Sequence, residues 1–494
     1  MPQYYYGTDN GETLSGGNTD DYVYGYGGND RLYGGPGFDV VFGGEGADEL
    51  HTGSGSGDFL YGGPGDDVLY GEATYNYYFF TGKDDGYDTI VGGAGTDGVF
   101  ATRNNTAISL KAFSGVEYFS NNTYSGVSIR GTGGAEYFDF RSVGMIGITL
   151  IDGGAGNDTI LGSAQGDTIM GGGGNDTLSG FLGDDIFVVG RGDGVDRFDG
   201  DGGFDIIRAD ADSVVIGISA LTGVERIDGG GFANVSIAMT ASGDFLNLNG
   251  VEVSGIARIS LGAGQDVFYG SASGDVIIGG AGDDLLFGNG GDDTFEVAAG
   301  AGSDTIDGGD GVDTIKVTAA TFAWTGISNV EALVGTNLKL TGTSGADVID
   351  LRLVDVTGVT KVWAGLGDDE VLTGGSGGRF DLSDGQDYFF SGAGADRFEL
   401  ARIADSKVGA ADTISGFAQG SDLIDLSAVD ASTKAAGNQA FTFIGDAAFG
   451  GVAGELRYAA QTTDIFGDVN GDRIADFQIH LTSPLALTAA DFLL

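Results

Sequence analysis

The chain has 494 residues, of which 97 are Gly, 4 are Pro and none is Cys, so an ordinary helical enzyme composition and any disulfide-braced fold are excluded. Hydrophobic residues still make up 41%, with 31 Phe and 19 Tyr, which supplies apolar surface for a long core and sets the chain apart from a disordered one. Against 22 basic residues stand 72 acidic ones, a formal net charge of -50, which argues against nucleic acid or anionic membrane as partner and for many multivalent cations.

The opening "MPQYYYGTDNGETLSGG" lacks the basic start and apolar stretch of a cleavable signal peptide, and no apolar run reaches transmembrane length. Residues 1–100 form a tyrosine-rich block. Of the 19 tyrosines 13 lie before residue 88, among them Tyr4, Tyr6, Tyr22, Tyr24 and Tyr26. They read either as an aromatic ladder on a strand face or as a contact surface. Through this block runs a nonapeptide, G-G-x-G-x-D-x-U-x, with U a large apolar residue. Its sixth position is marked by Asp30, Asp39, Asp48, Asp58 and Asp67, with one extra residue near Thr52, and Asp21 and Asp97 fit before and after.

Three longer units follow. Residues 101–200 begin with short alternating segments, "AISLKAF", "GVSIRG" and "GITLID", which predict strands, and end in nonapeptides at Asp158, Asp167, Asp176 and Asp185. Residues 201–308 repeat the plan at Asp266, Asp275, Asp284, Asp293 and Asp304. Residues 309–386 are a degraded copy with Asp313, Asp347 and Asp369; the step is lost in "GGSGGRFDLSDGQDYFF" and restored at Asp396. Glu117, Glu225 and Glu331 recur at steps of 108 and 106 and are expected to be turn features, with charged ligands at coil corners as the alternative.

Residues 387–494 change character, and helical periodicity is expected only here. Asp468, Asn470, Asp472 and Asp476 have the alternation of a calcium loop, with Arg473 where an EF-hand would place Gly. The alternative is a turn whose Asx side chains bond their own backbone.

In each nonapeptide the six-residue part turns and the last three form a short strand with U pointing inward. Two nonapeptides then make one flattened coil, and stacked turns collect carboxylates and backbone carbonyls. Such hard oxygen ligands suit calcium, in multiple copies, over zinc or copper. The expected fold class is all-β: a right-handed parallel β-solenoid, regular in the nonapeptide blocks and irregular between them. Regularly placed Leu, Ile, Val and Phe exclude a low-complexity disordered reading.

This pattern resembles that of the RTX (repeats-in-toxin) proteins, which implies calcium-filled β-rolls. The tail, from "GAGADRFEL" through "GDVNGDRIADFQIHL" to "LTAADFLL", resembles the C-terminal domain of serralysin-type metalloproteases. That second resemblance implies export by a type I secretion machinery through an uncleaved C-terminal signal, to the outside or surface of a Gram-negative cell. The protease half of the resemblance is missing: the two His, His51 and His480, belong to no HExxH motif. "GGSGG" at 374–378 matches a nucleophile-elbow pattern at Ser376 only formally, because an elbow must follow a strand and open a helix.

The expectation is therefore a secreted, non-enzymatic calcium-binding protein that assembles with itself through solenoid ends as a surface layer, matrix fibre or adhesin. A polysaccharide-active enzyme, or a monomeric binder of calcium or cell-surface glycan, is the alternative.

Overall fold

The computed structural model describes residues 1–494 apart from Ser56, Ala73, Lys83, Asp84, Thr325 and Ser376. The would-be nucleophile Ser376 thus lies outside the described residues. In the nonapeptide blocks, strands such as Arg31–Tyr33, Glu49–His51 and Val68–Tyr70 are only three residues long. Neighbouring strand residues face opposite ways, so the middle one goes inward: Leu32, Leu50 and Leu69 are fully buried. Pairing is parallel at a step of about two nonapeptides. Leu32 lies opposite Leu50 and Arg31 opposite Glu49, which stacks like upon like inside and complementary charge outside.

The chain forms two compact units, residues 1–240 with 246–259, and residues 241–245 with 260–494. In the first, an eight-stranded sheet runs from Gln3–Tyr6 to Gly144–Ile146 and a 13-stranded sheet from Thr13–Ser15 to Glu252–Ser254. Through the first coils each takes every other strand of the chain, as a two-faced solenoid requires, and further on a step of three strands occurs where a coil has an additional strand. The irregular stretches belong to the same coils. Ala107–Ser114 pairs in parallel with Asp88–Val91 on one side and Val127–Arg130 on the other, after a register shift at Asp88.

The outer face of the first unit carries stacked rings. Tyr24 lies over Phe42 at 4.9 Å, Phe42 over Tyr61 at 4.6 Å and Tyr61 over Phe79 at 4.8 Å. His51 is sandwiched between Tyr33 and Tyr70 at 4.7 and 4.6 Å. The early tyrosines thus do form an aromatic ladder, because residues one coil apart fall in register.

The second unit continues parallel stacking up to Leu423–Asp425, which pairs with the terminal strand Phe492–Leu493. Glu455–Ala459, Asp464–Asp468 and Phe477–Leu481 form an antiparallel set. The helical periodicity expected in the tail is not realised: among the described residues the only helical element is the 3-10 turn Ala489–Asp491. Its apolar residues fall two apart, as in "FQIHL" with Phe477 and Ile479 buried, and that is a strand period. No helix is long and apolar enough to cross a membrane.

Candidate metal centres

The sixth-position aspartates line up as ladders in which the amide of one donates to the carboxylate of the next coil. Asp30 N–H donates to Asp48 Oδ1 at 2.7 Å, Asp48 to Asp67 at 2.8 Å, and Asp67 to Asp88 at 3.0 Å. On the other side Asp21 donates to Asp39 and Asp39 to Asp58, both at 2.8 Å. Asn76 donates to Asp97 at 2.9 Å, and Asp97 to Glu117 at 2.7 Å.

The next units reproduce this arrangement. Glu136, Asp158, Asp176 and Asp196 form one ladder; Asp167, Asp185, Asp205 and Glu225 form its companion. In the second unit Asp244, Asp266, Asp284 and Asp304 run beside Asp275, Asp293, Asp313 and Glu331. Asp347, Asp369, Asp387 and Asp412 form a further ladder, and Asp396 donates to Asp422. The block that looks degraded in sequence is therefore unbroken in space: Asp387 takes the next rung 18 residues after Asp369.

Each ladder aspartate after the first spends Oδ1 on an amide of the preceding coil. In 16 of these ladder aspartates the other oxygen, Oδ2, is buried and has no hydrogen-bond partner among the described residues. They are Asp30, Asp39, Asp48, Asp58, Asp67, Asp97, Asp158, Asp176, Asp185, Asp205, Asp266, Asp284, Asp293, Asp313, Asp369 and Asp412. A buried acceptor without a donor is strongly disfavoured, and its recurrence along the ladders fits a cation. The surroundings are oxygen-rich. A methyl group added at Gly43 would stand 2.4 Å from Asp48 Oδ2 and 2.5 Å from the Gly62 carbonyl oxygen, so both oxygens converge on the space a side chain would fill.

Stacking does not gather the carboxylates themselves: among the described residues no three His, Asp or Glu side chains form a metal cluster. An ion here takes few carboxylates and several carbonyls, the hard donor set that calcium accepts. Replacing Gly43 by Ala is expected to raise the calcium midpoint for folding, measured by far-UV circular dichroism. An unchanged midpoint would show that this space is not used.

Burial raises these carboxyl groups. Desolvation pushes Asp39 and Asp97 up to about 6, Asp58 and Asp158 up to about 7, Asp67 up to about 8 and Asp88 up to about 9, against the lowering effect of backbone donors. Desolvation penalises the charged form, and an adjacent divalent cation reverses that penalty.

The tail residues behave differently. Asp468 accepts from the amides of Gly471 at 2.5 Å and Arg473 at 2.9 Å, and Asp476 from Val469 at 2.7 Å and Asn470 Nδ2 at 2.9 Å. Asp472 accepts from Ile474 N–H at 2.8 Å on the surface. The loop is closed by its own Asx bonds, and Arg473 takes the left-handed φ of 71° where Gly would be expected.

Sequence reasoning missed Asp205, Asp387 and Asp412 as rungs, although "GDGGFD" before Asp205 was visible; a search at steps of 18 to 25 would have found them. It also gave the histidines no partner, whereas His51 lies 2.9 Å from Glu49 and 2.8 Å from Glu72, and His480 lies 2.9 Å from Asp464.

Comparison with known families agrees with this geometry. The family model for the RTX calcium-binding nonapeptide repeat (4 copies) matches residues 6–41, 24–57, 42–76, 143–178 and 161–195. The model for the peptidase M10 serralysin C terminal matches residues 269–494. The chain carries RTX calcium-binding nonapeptide repeats ahead of a serralysin-type C-terminal region. Its C-terminal region is of the serralysin type carried by type I secretion substrates, a non-catalytic domain in that family. No curated protein matches this RTX chain.

Proposed function

We propose that this RTX protein folds on calcium after export from a Gram-negative cell and then associates with itself, as a structural component of a surface layer or extracellular matrix, without catalysis. The calcium ions sit on the orphaned Oδ2 atoms of the ladder aspartates. The observation that carries self-association is the ring column of the first unit, which Tyr6 extends by stacking on Tyr24 at 5.4 Å with Tyr4 and Tyr26 beside it; Tyr4, Tyr6 and Tyr26 are each more than half exposed. Stacked rings held rigid by a sheet give large contact area with little side-chain entropy to lose.

Calcium acts first on this reading, because the column is in register only when the coils are. Light scattering and electron microscopy at millimolar calcium are expected to show assemblies that chelator disperses. Tyr6→Ser with Tyr26→Ser is expected to leave calcium-induced β-structure intact and abolish assembly. A monomer at millimolar calcium would overturn self-association, and glycan binding by that monomer would favour a carbohydrate-binding role for the same rings.

A further inference from the structure

The turns of the two ladder systems fall into two conformations. Where Oδ2 is orphaned in a regular nonapeptide turn, the second and fourth turn residues are left-handed, as at Gly172 (φ 90°) and Gly174 (φ 145°) before Asp176; the lengthened turn before Asp58 and the turn before Asp412 depart from this. The second residue adopts this even where it is not Gly: Phe181 before Asp185 has φ 74° and Asp201 before Asp205 has φ 60°. In the other conformation the second residue is not left-handed, and its amide donates to the sixth-position carboxylate of the same turn. Ser163 N–H donates to Asp167 Oδ2 at 2.6 Å, Ser271 N–H to Asp275 Oδ2 at 2.8 Å and Thr343 N–H to Asp347 Oδ2 at 2.6 Å.

Three self-capped turns open a ladder: Asp167 precedes Asp185, Asp275 precedes Asp293, and Asp347 precedes Asp369. Asp422, capped in the same way by Ala418 N–H at 2.7 Å, instead follows Asp396. Glycine at the second position does not decide the conformation. Gly17, free to be left-handed, instead donates to Asp21 Oδ2 at 2.5 Å in the first carboxylate turn of its ladder. An N–H aimed at Oδ2 puts positive charge where a cation would stand, and it satisfies the oxygen that is otherwise stranded.

We infer that each such ladder opens on a metal-free starter turn, and that calcium is confined to the later turns with an orphaned Oδ2. The inference rests on the calcium reading above and divides the candidate aspartates. Asp176, Asp185 and Asp293 are ligands, whereas Asp167, Asp275 and Asp347 are structural caps whose Oδ2 is already paired.

Two measurements on the full chain test this. Crystals of the calcium-loaded protein soaked in terbium are expected to give anomalous peaks within about 2.5 Å of Asp176 and Asp185 Oδ2 and none beside Asp167 or Asp275 Oδ2. Native mass spectrometry at saturating calcium is expected to find one ion fewer in Asp176→Ala and the wild-type number in Asp167→Ala. A peak on Asp167 or Asp275, or an ion lost from both variants alike, overturns the starter turns and leaves the calcium reading intact. A wild-type chain that binds no calcium overturns both.

Discussion

Dialysis against EGTA at neutral pH is expected to convert this protein from a β-solenoid to a largely unfolded chain, with millimolar calcium restoring it. Without a cation, the buried Oδ2 atoms of 16 ladder aspartates have no donor, and none of those aspartates is in an ion pair among the described residues. Burying an unpaired ionised carboxylate costs several kcal/mol, and a domain has only about 5–15 kcal/mol of net stability. Even a fraction of these groups left charged and unpaired therefore exceeds what the apolar column of Leu, Ile, Val and Phe can hold. Calcium acts in the other direction. At tenfold excess over its dissociation constant one ion stabilises the fold by about 1.4 kcal/mol, and the sites add along the coils. Far-UV circular dichroism during calcium titration is the measurement, and the transition is expected to be steep because each rung needs its neighbour. Full β-structure persisting in EGTA at neutral pH would show that the apolar stack suffices and that the oxygens are satisfied by other means.

Much of this architecture was legible because a solenoid is nearly one-dimensional: a period in sequence becomes a period in space. The nine-residue step predicted that Leu32 and Leu50 would stack, and they do. It also placed Asp30 and Asp48 on adjacent coils, where the amide of one meets the carboxylate of the other although, among the described residues, the carboxylates themselves are not gathered. Reading failed where the step stretches. Asp88, Asp196 and Asp412 follow turns lengthened by insertion, so a nine-residue ruler loses them while the backbone ladder keeps them. Glu117, Glu225 and Glu331 hide for another reason. Each occupies the ladder position with one more methylene and accepts the amide of Asp97, Asp205 or Asp313 through Oε2. They close three ladders with a residue type the motif does not contain. The two turn conformations were harder to read: "GGNTDD" ending at Asp21 and "GGPGFD" ending at Asp39 differ at the fourth residue, Thr19 against the left-handed Gly37, yet the self-capped turn of Asp347 has Gly345 in that place without a left-handed φ. The difference lies in backbone φ, which the fourth residue alone does not fix.

Acid is expected to substitute in part for calcium. The ladder carboxyls ordinarily titrate near 3.8 and, in the metal-free fold, burial raises Asp176 to about 6, Asp185 and Asp293 to about 7, and Asp67 and Asp412 to about 8. A group raised on folding contributes stability that is fully present below its unfolded value and is lost as the pH rises through its folded value. The metal-free solenoid is therefore most stable near pH 4 and loses that contribution progressively between about pH 4 and 8. Calcium requires the same groups deprotonated, so binding releases protons below neutrality. The calcium midpoint for folding is expected to rise as the pH falls from 8 to 6, by up to about tenfold per pH unit for each proton displaced. EGTA-treated protein brought to pH 4 is expected to regain β-structure without metal, provided aggregation is held off by low concentration. Circular dichroism across pH at several fixed calcium concentrations measures both effects on one sample. A midpoint independent of pH would mean that the ladder carboxylates remain ionised in the metal-free state, and some donor other than calcium would then have to occupy each Oδ2.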